Sequence, residues 1–251
     1  MPDWPRFTVS LESVLPEIEL VRQKQGAFGA VLAFSDVGQR EQSLVEAAVA
    51  SAVQTSAIEG EALDWDAARS SVARRLGVDR GGVPQDDKTE GVVAMTLDAT
   101  RNYEPAITES RLFQWHAELF PRTLGEPKRI IIGSWRELAS DPMQVISGVV
   151  GRERIHFEAP SASEVPREMN GFISWFNDSR STENGLIRAA LAHLRFLTVH
   201  PFEDGNGRIG RAIADMALSQ DEQSADRFYS MSAQIHREKK MYYEMLEQTQ
   251  R

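Results

Sequence analysis

His200-Pro201-Phe202-Glu203-Asp204-Gly205-Asn206-Gly207-Arg208-Ile209-Gly210-Arg211 is the stretch from which the rest of the chain can be read. Before it, Ile187, Leu191, Leu194 and Leu197 recur at spacings of 4, 3 and 3, which places them on one face of a helix ending near Val199. Pro201 cannot continue that helix, so His200 falls at the corner between helix and loop. After the loop, Ile209, Ile213 and Met216 repeat at 4 and 3, and a second helix is expected to begin close to Gly207. The architecture predicted from this centre is mainly α: a helical bundle, interrupted once by a β-hairpin.

The same residues define a chemistry. The first N–H groups of the second helix have no intrahelical partner, and with the positive end of the helix dipole they form an anion cradle. Gly205 and Gly207 let the backbone approach an anion closely. Arg208 and Arg211 lie three residues apart in the first turn, so both can reach the same phosphate groups. Asp204, just outside the cradle, is placed to hold a hard cation such as Mg²⁺. An imidazole beside such a site suits proton removal from an incoming hydroxyl. The alternative is a polar loop with surface arginines; it leaves the conjunction of one imidazole, one carboxylate, paired glycines and two guanidinium groups unexplained.

The string is identified as the signature of the Fic family, His-x-Phe-x-Asp/Glu-Gly-Asn-Gly-Arg-x-x-Arg, matched at every specified position. The resemblance implies the compact helical Fic fold and an enzyme that transfers AMP from ATP to a protein hydroxyl (Ser, Thr or Tyr), releasing pyrophosphate. It makes His200 the general base and Asp204 the Mg²⁺ ligand. It puts the nucleotide on Gly205, Asn206, Gly207, Arg208, Ile209, Gly210 and Arg211, with Arg208 toward the β-phosphate and Arg211 toward the γ-phosphate.

Upstream, Leu44, Ala48, Ser51 and Thr55 mark a helix that stops at Gly60. Its end, Thr55-Ser56-Ala57-Ile58-Glu59-Gly60, matches the Ser/Thr-x-x-x-Glu-Gly/Asn inhibitory motif of Fic proteins autoinhibited by an N-terminal helix, the class II arrangement. Thr55 and Glu59 share a helix face. By that resemblance Glu59 pairs with Arg211 and withholds it from the γ-phosphate. The division implied is an N-terminal helical region, residues 1–85, carrying the inhibitory helix at about 40–60, followed by a catalytic core, residues 86–251.

Other helices are expected from Leu11 to about Ala33, with Gly26 and Gly29 as a break or tight contact, and from Leu63 to Leu76 with Asp64 as N-cap. Further helices follow from Val92 to about Tyr103, after Thr108, after Pro166, and from Ile235 to Gln248. Residues 129–150 break the pattern: Arg129-Ile130-Ile131-Ile132-Gly133 and Val145-Ile146-Ser147-Gly148-Val149-Val150, with Asp141-Pro142 between, predict a hairpin. The resemblance makes this hairpin the flap, placing Val145, Ile146, Ser147 and Gly148 near the nucleotide and the target chain. It also makes Tyr243, with Tyr242, an adenine neighbour. His116, beside the apolar stripe of Leu112, Trp115 and Leu119, is expected to be packed or half-exposed and not a ligand; His193, within the helix leading to His200, is expected to be packed or exposed.

With 251 residues, 41% hydrophobic and 26% charged, the composition is that of an ordinary globular chain. A net charge of −9 argues against a general nucleic-acid surface. No apolar run approaches the length of a membrane span, and no cysteine is present for disulfides or thiolate metal sites. The expected cofactors are ATP, as substrate, and Mg²⁺. The expected partner is a target protein with an acceptor hydroxyl, which could be a second copy of the chain, and the cytoplasm is the default compartment because ATP is there. Exposed faces of the N-terminal helices could support a homodimer, and similar proteins often continue into a C-terminal winged helix. Two other readings use the same residues: removal of AMP from a modified protein by a water that Glu59 positions, or a nucleotide-sensing interaction module.

Overall fold

Helix starts in this chain are written by short polar side chains that accept orphan backbone N–H groups. The computed structural model of the protein describes residues 7, 9–78, 86–121, 130–137, 143–147 and 154–250. Asp36, Asp64, Asp86, Thr108, Asn184 and Ser230 cap α2 (Val37–Ile58), α3 (Trp65–Leu76), α4 (Asp87–Arg101), α5 (Glu109–Leu119), α7 (Gly185–Val199) and α9 (Met231–Arg237). The remaining helices are α1 (Leu11–Ala33), α6 (Val165–Asp178), α8 (Asn206–Glu222) and α10 (Lys239–Thr249). Two antiparallel strands, β1 (Gln144–Ser147) and β2 (Arg154–Glu158), lie between α5 and α6. The protein is mainly α.

The centre is α8, in which every residue from Arg208 to Gln220 is buried. Its alanines, glycines and one serine let neighbouring helices approach closely, and α7, α4, α2 and α5 surround it. One continuous apolar core joins Val49 and Val53 of α2 and Val72 of α3 to Trp115 of α5, Phe196 of α7 and Ile213 of α8. The core therefore runs across the boundary placed near residue 85. Residues 79–85 themselves lie outside the described set.

Three sequence expectations are corrected, and one apolar stripe is found to face a different neighbour from the main core. The strands pair at 144–147 and 154–158, not between 129–133 and 145–150. Backbone amides of the first expected strand are engaged by side chains: Ile131 N donates to Glu203 Oε2 at 2.8 Å and Gly133 N to His116 Nδ1 at 3.1 Å. Arg129, Asp141, Pro142, Gly148, Val149 and Val150 lie outside the described residues. The C-terminal helix is two helices, α9 and α10, because the chain leaves helical geometry at Glu238 (φ −111°, ψ 29°). Helix α4 begins at Asp87, five residues before the expected Val92, because Asp86 caps it. Finally, Ile187, Leu191 and Leu194 line an apolar groove of about 680 Å³ with Val14, Ile18 and Val21 of α1, while Ala192, Phe196 and Val199 fill the main core. A 3.6-residue stripe identifies an apolar face but not the face's partner.

Helix α1 behaves differently from the rest. It buries none of its residues, and Gly26 and Gly29 neither break it nor touch a neighbour. It is tied down by Arg22 to Asp221 at 2.6 Å, Gln25 to Glu222 at 2.9 Å, and an edge contact of Phe28 with Phe228.

Candidate functional site

The loop from His200 to Gly205 carries its geometry in backbone turns that side chains lock. His200 ends α7 in the left-handed region (φ 50°, ψ 57°), an uncommon conformation for a residue with a Cβ and one held here by surrounding contacts. Arg136, buried between loop and body, donates from Nε to the His200 carbonyl at 2.8 Å and from Nη2 to the Pro160 carbonyl; its own N–H donates to the Pro201 carbonyl at 2.9 Å. Phe202 plugs into the core and stacks on His116, with ring centroids 4.2 Å apart. His116 Nδ1 accepts from Gly133, so its Nε2 carries the proton and donates to the Asp204 carbonyl at 3.2 Å. Burial pushes the His116 pKa down to about 4, which keeps the ring neutral and this pattern fixed.

Asn206 is the largest departure from expectation. Its side-chain oxygen accepts from Phe202 N at 3.0 Å and its amide donates to Phe202 O at 2.8 Å. The side chain closes the loop from inside and does not face an anion. What it offers a ligand is its backbone N–H. The first helical bond of α8 runs from Ile209 N to Gly205 O, so the N–H groups of Asn206, Gly207 and Arg208 lie ahead of it without intrahelical acceptors. Gly205, at φ 82°, supplies the turn into this end.

The His200 side chain completes one wall. Its Nδ1 lies 3.2 Å from the Leu197 carbonyl; as donor it fixes the tautomer and leaves the Nε2 lone pair available to accept a proton. Burial first, and then the nearby Arg136 charge, lower its pKa below the ordinary histidine value. The ring is therefore neutral, and able to act as a base, near pH 7.

Both signature arginines are 1% exposed and both are occupied. Arg211 donates Nε to Thr55 Oγ1 at 2.7 Å, and Nη2 to Thr55 O at 2.8 Å and to Glu59 Oε1 at 2.7 Å. The Glu59 carboxylate lies so close over Gly207 that a Cβ there would fall 2.0 Å from Oε1. Glu59 Oε1 thus lies over the first turn of α8, at Gly207. Arg208 meets Glu61 Oε2 at 2.6 Å, Asp204 Oδ1 at 3.5 Å and the Phe120 ring at 5.0 Å. Asp204 is the most open carboxylate of the group; its Oδ1 also accepts from Gly205 N at 2.5 Å.

Tyr242 and Tyr243 stand at the other side of Glu59. Tyr242 OH is 2.9 Å from His193 Nε2, and burial raises its pKa to about 12. Tyr243, 42% exposed, donates to the Ile58 carbonyl at 3.3 Å, one residue before Glu59. His193 is packed, its pKa lowered to about 4 by burial. Of the flap residues, Val145, Ile146 and Ser147 form β1.

Among the described residues no group of three or more His, Cys, Asp or Glu could by itself cage a metal ion. A lone, accessible carboxylate such as Asp204 fits Mg²⁺ only where phosphate oxygens and water complete the shell, the usual arrangement for a nucleotide-bound ion. Sequence reading missed Arg136, Glu61 and Lys88 and gave His116 no part in shaping the loop. Only Glu61 left a signal: a second acid two residues past Glu59, beyond a glycine.

Residues 106–218 match the Fic/DOC family model, and residues 1–78 match a domain of unknown function, DUF4172. The chain is 30% identical over 110 residues, 43% of its length, to protein adenylyltransferase fic-1 of Caenorhabditis elegans, and covers 21% of that protein. It is 35% identical over 83 residues, 32% of its length, to a Fido domain-containing protein of Dictyostelium discoideum, covering 56% of it. Among solved structures, a Fic family protein from Desulfovibrio desulfuricans superposes with a TM-score of 0.64 at 21% identity, covering 96% of this chain and 67% of that one. The C. elegans Fic-1 structure superposes at 0.60 with 19% identity, covering 94% and 66%. The fold is the Fic fold, and residues 106–218 are similar to the Fic/DOC family.

Proposed function

We propose that this chain, with a Fic/DOC domain over residues 106–218, is an autoinhibited protein adenylyltransferase. It would move AMP from ATP to a Ser, Thr or Tyr hydroxyl of a protein. The hydroxyl oxygen bonds to the α-phosphorus as the bond from that phosphorus to pyrophosphate breaks. His200 Nε2 takes the hydroxyl proton. The N–H groups of Asn206, Gly207 and Arg208 hold the phosphates, with Arg208 on the β side and Arg211 on the γ side. Asp204 is the carboxylate that would hold Mg²⁺, which when bound offsets phosphate charge. β1, with Gly148 beyond it, would align the target segment by strand addition, and Tyr243 would border the adenine.

The observation that carries this reading is the Glu59 carboxylate lying against Gly207 and bonded to Arg211. A side-chain carboxylate over the first turn of α8 supports a site that would take anions and a resting state that would block it. ATP entering while Glu59 keeps Arg211 would seat its triphosphate out of line, and a misplacement of about 1 Å can cost ~100-fold in rate.

The test uses ATP labelled in its α-phosphate. Glu59→Gly should label itself or a lysate protein about 100-fold faster than the unaltered chain, and Glu59→Gly with His200→Ala should not label. Equal labelling with and without Glu59, or labelling that survives loss of His200, rejects the proposal.

A further inference from the structure

The inhibitory turn presents two acids, not one. Helix α2 ends in a Schellman arrangement: Gly60 N donates to Ala57 O at 3.1 Å and Glu61 N to Ser56 O at 3.0 Å, with Gly60 at φ 84°. The left-handed glycine folds the chain back so that Glu59 and Glu61 both reach the first turn of α8. There the two arginines stand three residues apart, and each receives one carboxylate: Arg211 takes Glu59 at 2.7 Å and Arg208 takes Glu61 at 2.6 Å. The second contact is the more firmly anchored. Glu61 is a bridge whose other oxygen, Oε1, lies 2.9 Å from Lys88 Nζ on the first turn of α4. Lys88 also follows the Asp86 cap, so its backbone is set by the start of a helix that belongs to the core, while its side chain stays 45% exposed.

We propose that Glu61 is a second inhibitory carboxylate, which occupies Arg208 as Glu59 occupies Arg211, with Lys88 holding it in place. This deepens, and rests on, the reading of the site as a triphosphate site. The physical case is one of competition. Arg208 is 1% exposed and packed over Phe120, so it cannot swing out to meet a phosphate; the phosphate must come to it and displace Glu61. The Arg208 Nε is buried without a partner, so the guanidinium retains a donor that the resting state leaves unused. Removal of Glu59 alone therefore leaves the β-phosphate side closed, and Glu59→Gly is a partly released state.

Glu61→Gln keeps the shape and removes the charge; Glu61→Asp keeps the charge and shortens the reach. Two readouts in the Glu59→Gly background separate the inference from the reading beneath it. The first is ATP binding by calorimetry, with His200→Ala added so that no turnover occurs. The second is labelling rate against ATP concentration with His200 intact. The expected result is that Glu61→Gln and Glu61→Asp each tighten ATP by about tenfold, seen as a lower Kd and a lower KM with kcat little changed. A contact that only stabilises the fold would shift the melting temperature and leave Kd and KM where they were. In the otherwise unaltered chain, Glu61→Gln alone should leave labelling low, because Glu59 still holds Arg211.

If Glu59→Gly labels but neither Glu61 variant tightens ATP, the second carboxylate is structural and this inference falls while the reading stands. If ATP binds tenfold tighter without Glu61 yet no variant transfers label, the clamp stands and the transfer reading falls. If no variant binds ATP, both are rejected.

Discussion

Helices α1 and α2 have nearly the same length, 23 and 22 residues, and both belong to the segment matched by DUF4172, yet the protein uses them in opposite ways. Helix α2 buries Val45, Val49, Ala52 and Val53 in the common core, buries Ile58 near its end, and carries Thr55 and, at its cap, Glu59 to Arg211. Helix α1 fully buries no residue, half-buries Val14 and Ile18, and leaves Leu11, Leu15, Leu20 and Val31 exposed. Helix formation is thus distinct from helix docking. Backbone bonds and local propensity make both helices, but only a continuous apolar face against a core gives one of them a fixed place. A carboxylate meant to occupy a phosphate site has to sit on the helix of the second kind, because its effect depends on position to within about 1 Å.

The sharpest way to break this comparison is a charge in each helix. Val49→Asp puts an unpaired carboxylate where the side chain is 0% exposed, and should cost at least ~4 kcal/mol in urea unfolding. Tolerance of Val49→Asp would mean that α2 is no better anchored than α1.

Acid gives the next largest effect. His116 and His193, both in the body to which α2 docks, have pKa values held near 4 by burial, against about 6.5 in an unfolded chain. Between those values the unfolded state binds more protons, so stability is fully present above pH 6.5 and is lost as the pH falls toward 4, by up to about 3 kcal/mol for each group. Urea unfolding at pH 7 and pH 5 measures the loss, and His116→Gln should flatten part of it. A stability independent of pH over that window would contradict the neutral, buried state of both rings.

The smallest effect is expected in α1. Leu20→Asp, at a position 49% exposed, should change stability by no more than about 0.5 kcal/mol. A loss approaching that of Val49→Asp would show that α1 is held by more than its ion pair, its amide bond and one ring contact.

How far the sequence could be read divides along the same line. The caps at Asp64 and Thr108 and the break at Pro201 are legible because each acts within a few residues of itself. So were Thr55 and Glu59 as a pair on one face, and their arrival at Arg211 followed from resemblance and not from spacing. The flap strands were misplaced because Ile130–Gly133 is as apolar and β-branched as a strand, and only Glu203 and His116, distant in sequence, take up its amides. The phosphate role of Asn206 rests on resemblance alone, since a polar residue in a glycine-rich loop has no visible preference between cleft and interior; the approach of Phe202 turns its side chain inward.

The sequence alone carries the caps and stops that set most helix ends, and an imidazole, an acid and two arginines within twelve residues. Only the tertiary structure decided who occupies those arginines. Glu59 is 152 residues from Arg211 and Glu61 is 147 from Arg208. The reason is one of range: capping and periodicity act over four residues of chain, whereas a buried guanidinium takes whichever carboxylate the packing of α2, α4 and α8 brings within 3 Å.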